Sequence, residues 1–105
     1  MSVARATIFG PVISILTWTD PADVIARANN TPFGLTANIW TNDVSRALAT
    51  AAAVDAGYVF VNSTGKRPLG APFGGWKRSG LGKGSSLEEL TSYTREKSIT
   101  IDFVA

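Results

Sequence analysis

Between Val12 and Asn62 short apolar runs alternate with helical patterns about a dozen residues long, and this alternation constrains the fold more than any other feature. Val12 to Trp18 (VISILTW) is rich in β-branched residues and apolar on both faces, the pattern of a strand buried within a sheet. Asp20 is placed to cap a helix, with Pro21 in its first turn and Asp23 near the positive end of its dipole. Val24, Ile25 and Ala28 share one face of that helix. Asn29-Asn30 suits its C-terminus, and Pro32 blocks continuation. Leu35 to Trp40 reads as a second strand. Thr41 or Asn42 then caps a helix over Asp43 to Ala56, with Val44, Leu48, Ala51 and Val54 turned inward and Gly57 as its stop. Six alanines let this helix approach a sheet closely. Tyr58 to Asn62 (YVFVN) is a third strand. The expected fold class is therefore α/β, a mostly parallel strand–helix–strand–helix–strand unit.

Ser63 to Gly84 reads as loop. Ser85 and Glu88 have the spacing of a capping box, which predicts a short helix to about Thr94 with Leu87 and Leu90 inward. In the final run, Ser98 to Val104, Ile99, Ile101 and Phe103 alternate with Thr100 and Asp102, the pattern of a half-buried strand. No hairpin partner lies beside it. It either pairs with another chain or joins the edge of its own sheet, and the pattern allows both.

The chain has 105 residues, enough for one small domain with little margin of buried surface. Only 17% of its residues are charged, which favours hiding part of the surface against a partner. It contains no cysteine and no histidine. That excludes disulfides, zinc sites of the Cys/His type, a thiol nucleophile and a histidine base, and no catalytic or metal-ligating residue is singled out. No stretch approaches the ~20 apolar residues of a membrane span, and the N-terminus lacks a signal-peptide core, so a cytoplasmic protein without a membrane partner is expected.

The stretch Ala71 to Gly84, APFGGWKRSGLGKG, carries five glycines. Lys66, Arg67, Lys77, Arg78 and Lys83 fall between Asp55 and Glu88, a span with no other acidic residue. A phosphate-binding P-loop is not matched, because Gly84 follows Lys83 and position 77 is lysine. A dinucleotide fingerprint begins at Gly80 and Gly82 but meets Ser85 at its third glycine position. Basic residues interleaved with Phe73 and Trp76 have the composition of a nucleic-acid or anion binder, but a net charge of +2 supplies no global field for one.

APFGGWKRSGLGKG resembles the C-terminal PFGG-x-K-x-SG-x-G signature of the aldehyde dehydrogenase superfamily. IFGPV (Ile8 to Val12) resembles that family's E-x-F-G-P-V motif, and ARANNTPFGLTANIWTND (Ala26 to Asp43) its A-N-x-T-x-[FY]-G-L run. AGYVFVN (Ala56 to Asn62) and SYTREKSITIDF (Ser92 to Phe103) resemble the following strand and the terminal Y-T-x-x-K strand. The resemblance implies the last segment of such an enzyme, with residues 1–95 ending a catalytic domain and 96–105 forming an oligomerisation strand.

It implies further that Phe9 packs by the nicotinamide ribose. Thr7 stands where the family has a glutamate, and one hydroxyl cannot grip a diol as a carboxylate does. Asn62, Ser63 and Phe73 match the aldehyde tunnel, and Ile99, Ile101 and Phe103 the intersubunit strand. The loop is then a tunnel wall, not a phosphate cradle. Gly84 replaces the glutamate of the usual G-x-G-R-E pattern. The family oxidises aldehydes with NAD or NADP, using a cysteine thiolate and a base that this chain does not contain. The chain alone is expected to bind no cofactor and to be inactive. Its expected partners are copies of itself or an aldehyde dehydrogenase subunit, with no nucleic acid; a basic-loop binder of nucleic acid or anions is the alternative reading.

Overall fold

The computed structural model describes residues 6–103. Its elements are α1 (Pro21–Asn29), β1 (Phe33–Gly34), β2 (Thr36–Ile39), α2 (Val44–Ala53), β3 (Tyr58–Val61), β4 (Trp76–Lys77) and α3 (Leu87–Ser92). Strands β2 and β3 pair in parallel, from Thr36 opposite Tyr58 to Ile39 opposite Val61, with α2 as the crossover between them. Of the strand–helix–strand–helix–strand unit that the alternation predicts, this second half forms among the described residues. Strand β1 instead pairs antiparallel with β4, Phe33 opposite Lys77 and Gly34 opposite Trp76.

The helix ends follow local chemistry. Asp20 caps α1 as expected, its Oδ1 accepting from Ala22 N–H at 3.0 Å. Asp23 and Arg27 form an i,i+4 ion pair at 2.9 Å. Helix α2 is capped by Asp43 rather than by Thr41 or Asn42. The Asp43 carboxylate accepts from Arg46 N–H at 2.9 Å, while Thr41 Oγ1 accepts from Asp43 N–H. The helix ends at Val54, ahead of Gly57, because the chain turns there to enter β3.

Four expectations are corrected. Val12 to Trp18 forms no strand: every residue of it is exposed and no described strand lies alongside. β-branched residues favour a strand only where a partner supplies the ladder. The terminal run pairs with no described strand of this chain through Phe103, and Val104 lies outside the described residues. Helix α2 packs through Ala47, Thr50, Ala51 and Val54, leaving Val44 and Leu48 exposed. The Ser85–Glu88 box does not form. Ser86 takes the N-cap position without a side-chain bond, and Ser85 N–H donates to Glu89 Oε2 at 2.5 Å. Leu87 and Leu90 of α3 point outward.

Among the described residues only Ala47 and Phe60 are fully buried hydrophobics, at 4% and 7% exposure. The Cα radius of gyration is 19.9 Å, against about 13 Å for a compact chain of this length. The βαβ core is thus flanked by apolar segments with little of the chain to cover them.

Candidate functional site

The glycine-rich stretch is not a free loop. Phe73 and Gly84 exchange backbone hydrogen bonds at 2.9 and 2.7 Å, and β4 continues the structure between them. Two glycines are forced by close approach. A Cβ on Gly57 would sit 1.8 Å from the Gly74 carbonyl oxygen, and one on Gly74 would sit 2.2 Å from that of Gly82. The start of β3 and the PFGG turn are therefore in backbone contact. Lys83 reinforces this packing, its Nζ donating to the Gly74 carbonyl at 3.0 Å.

A second anchor lies at the other end of the turn. Lys77 Nζ pairs with Asp55 Oδ2 at 2.8 Å and donates to the carbonyls of Asn29 and Thr31 at 2.8 and 3.3 Å. Asn29 completes the knot. Its Nδ2 donates to Ala53 O, and its Oδ1 accepts from Asp55 N–H, both at 2.8 Å. The end of α1, the end of α2 and β4 are thereby joined by side chains that cannot be singled out by pattern, because their partners lie 22 to 48 residues away.

Phe73 belongs to an aromatic row. Its ring centroid is 5.6 Å from that of Tyr58, which lies 4.7 Å from that of Phe60. Tyr58 and Phe60 project from the same face of β3, an i,i+2 relation. The Arg67 guanidinium lies over the Phe73 ring, 4.1 Å from its centroid. Arg67 carries no signal in the sequence that sets it apart from the other basic residues of this stretch. Arg67 and Tyr58 thus both lie against Phe73, and Lys77 and Lys83 are bonded to backbone carbonyls.

The other expected residues lie elsewhere. Asn62 clamps the entry to α2, its Oδ1 accepting from Thr41 N–H at 2.9 Å and its Nδ2 donating to Thr41 O at 2.8 Å. Ser63 beside it is half-buried. Thr7 and Phe9 border an open groove of about 510 Å³, opposite Asn29, Phe33, Arg78 and Ser79. Phe9 is 99% exposed. One hydroxyl and one uncovered ring do not fit a dinucleotide, which needs a diol acceptor and a second wall, so this chain's residues alone do not make a nicotinamide site. Ile99, Ile101 and Phe103 are exposed and line neither this groove nor the one between Leu69 and α3. Among the described residues no group of three or more acidic, histidine or cysteine side chains gathers to hold a metal.

The sequence profile of the aldehyde dehydrogenase family matches residues 1–99. The chain belongs to this family. It is 43% identical over 102 residues to aldehyde dehydrogenase tropH of Talaromyces stipitatus, which covers 97% of this chain and 20% of that protein. It is 45% identical over 101 residues to betaine aldehyde dehydrogenase 2 of Rhizobium meliloti, covering 96% and 21%. Among solved structures it is similar to the indole-3-acetaldehyde dehydrogenase AldA of P. syringae, crystallised in complex with NAD+, at a TM-score of 0.87 and 45% identity, covering 98% of this chain and 21% of that one. The chain thus spans about a fifth of the length of the aldehyde dehydrogenases it matches. Among its described residues no helix is long and apolar enough to cross a membrane.

Proposed function

We propose that this chain supplies the end of the catalytic domain (residues 1–95) and the oligomerisation strand (96–105) of an NAD(P)-dependent aldehyde dehydrogenase. The reaction of the whole enzyme is RCHO + NAD(P)+ + H2O → RCOO− + NAD(P)H + 2 H+. The observation that carries this reading is the coverage: nearly all of this chain aligns with about a fifth of each relative.

In this reading Phe73, held by Tyr58 and by the Gly57–Gly74 backbone contact, stands at the mouth of the aldehyde tunnel, with Asn62 and Ser63 farther along its wall. Phe9 and Thr7 border the nicotinamide end of the cofactor, which other parts of the enzyme hold. Ile99, Ile101 and Phe103 pair with a strand of another subunit. Their exposure and clean alternation favour this over a place in the chain's own sheet.

The chain contains no thiol, so the nucleophile must come from outside it. The test is turnover by the purified 105-residue chain with NAD+ or NADP+ and a panel of aldehydes. No reduction of cofactor above background is expected. Cofactor reduction that persists after removal of host enzymes contradicts the reading.

A further inference from the structure

Of the five cations between Asp55 and Glu88, Lys77 and Lys83 are bonded to backbone carbonyls of the fold. Arg67 differs from both. Its guanidinium lies over the Phe73 ring, 4.1 Å from the centroid, and among the described residues it makes no ion pair and no hydrogen bond. Stacking engages the face of a guanidinium and leaves its N–H donors free around the rim. Those donors form the fork that matches a carboxylate in a two-point hydrogen bond. No acidic residue lies in the sequence from Ala56 to Leu87 to occupy them. Lys66, also exposed, adds a second positive charge beside it.

We infer that Arg67 selects aldehydes that carry a carboxylate at the end remote from the reacting carbonyl. This rests on the reading of Phe73 as a residue at the tunnel mouth. Phe73 serves as a platform that fixes the plane of the guanidinium, so that an ω-oxo acid entering carbonyl first leaves its carboxylate against the Arg67 rim. Neutral aldehydes of the same length gain nothing from this contact. The contact forms at an exposed position, so its strength falls with added salt.

The test grafts residues 1–105 in place of the matching segment of the P. syringae indole-3-acetaldehyde dehydrogenase. The quantity read is the ratio of kcat/KM for succinic semialdehyde to that for butanal. Replacing Arg67 by Gln is expected to lower this ratio about tenfold or more, and replacing it by Lys to lower it less. Phe73→Leu, which removes the platform but keeps the charge, lowers it as well. Raising the salt concentration lowers it with Arg67 and leaves it flat with Gln. A ratio that stays within about twofold across Arg67, Gln and Lys in an active graft overturns the inference and leaves the tunnel reading intact. A shorter graft of residues 62–73 alone reports the same ratio if the long graft does not fold. If neither graft oxidises any aldehyde, the tunnel reading fails and the inference falls with it.

Discussion

Replacing Lys77 by Met should loosen one corner of this molecule and leave the rest unchanged. The Lys77 ammonium makes three contacts: the Asp55 carboxylate and the Asn29 carbonyl, both at 2.8 Å, and the Thr31 carbonyl at 3.3 Å. The side chains of Lys77 and Asp55 are 29% and 45% exposed, so solvent screens the pair. Such an ion pair contributes ~0.5–1 kcal/mol. Two charge-assisted bonds to carbonyls, discounted for the same screening, add ~1–1.5 kcal/mol. Methionine keeps the apolar stem, so little packing is lost.

The expected total is about 2 kcal/mol, or roughly a thirtyfold change in local opening. Hydrogen–deuterium exchange read by mass spectrometry reports this directly. Protection should fall about thirtyfold in peptides covering Asn29 to Gly34 and Asp55 to Tyr58, and stay the same in α3. Asp55→Asn removes only the ion pair and should cost about three- to fivefold. A loss under about threefold for Lys77→Met would show that the knot holds nothing, and an equal loss in α3 that the effect is global; either contradicts a local anchor.

Gly57→Ala drives a Cβ against the Gly74 carbonyl and should cost ~3 kcal/mol, seen as lost protection in β3 peptides. Gly82→Ala in the same glycine-rich stretch meets nothing within 4 Å and should leave that protection unchanged. Asn62→Ala loses both bonds to Thr41 and places alanine at a φ of 50°, so the peptide over Thr41 to Ala47 should exchange about fivefold faster. Asn62→Gly, which tolerates that φ, should show a smaller effect.

Sequence made the local chemistry legible and the long-range chemistry opaque. Asp20, Pro21 and the Asn29-Asn30 stop mark α1 because capping acts within a few residues. Strands β2 and β3 and their parallel crossover follow from alternation, since one helical pattern, α2, separates two short apolar runs. The strand expected at Val12 to Trp18 is absent because propensity describes a preference for a partner, and no described strand supplies one. The inward face of α2 shifted from Val44 and Leu48 to Ala47 and Thr50, because the small residues fit closest to β2 and β3.

At the candidate site, the motif marks Phe73 and the PFGG turn. It does not mark Arg67, which is set apart by lying over one ring, or the Asn29–Asp55–Lys77 knot, whose members are distant in sequence. Asn62 is marked by the motif, but its clamp on the entry to α2 is not, because Thr41 lies 21 residues away.

This chain matches about a fifth of each relative and leaves large apolar faces uncovered. Ile13, Ile15, Leu16, Leu48, Ile101 and Phe103 are all exposed around a very small core. Size-exclusion chromatography with in-line light scattering on the purified chain tests this most directly. The account predicts self-association, as discrete oligomers or a broad distribution, at every concentration that permits detection. A single species at the monomer mass of 11.1 kDa, unchanged with concentration, would contradict it.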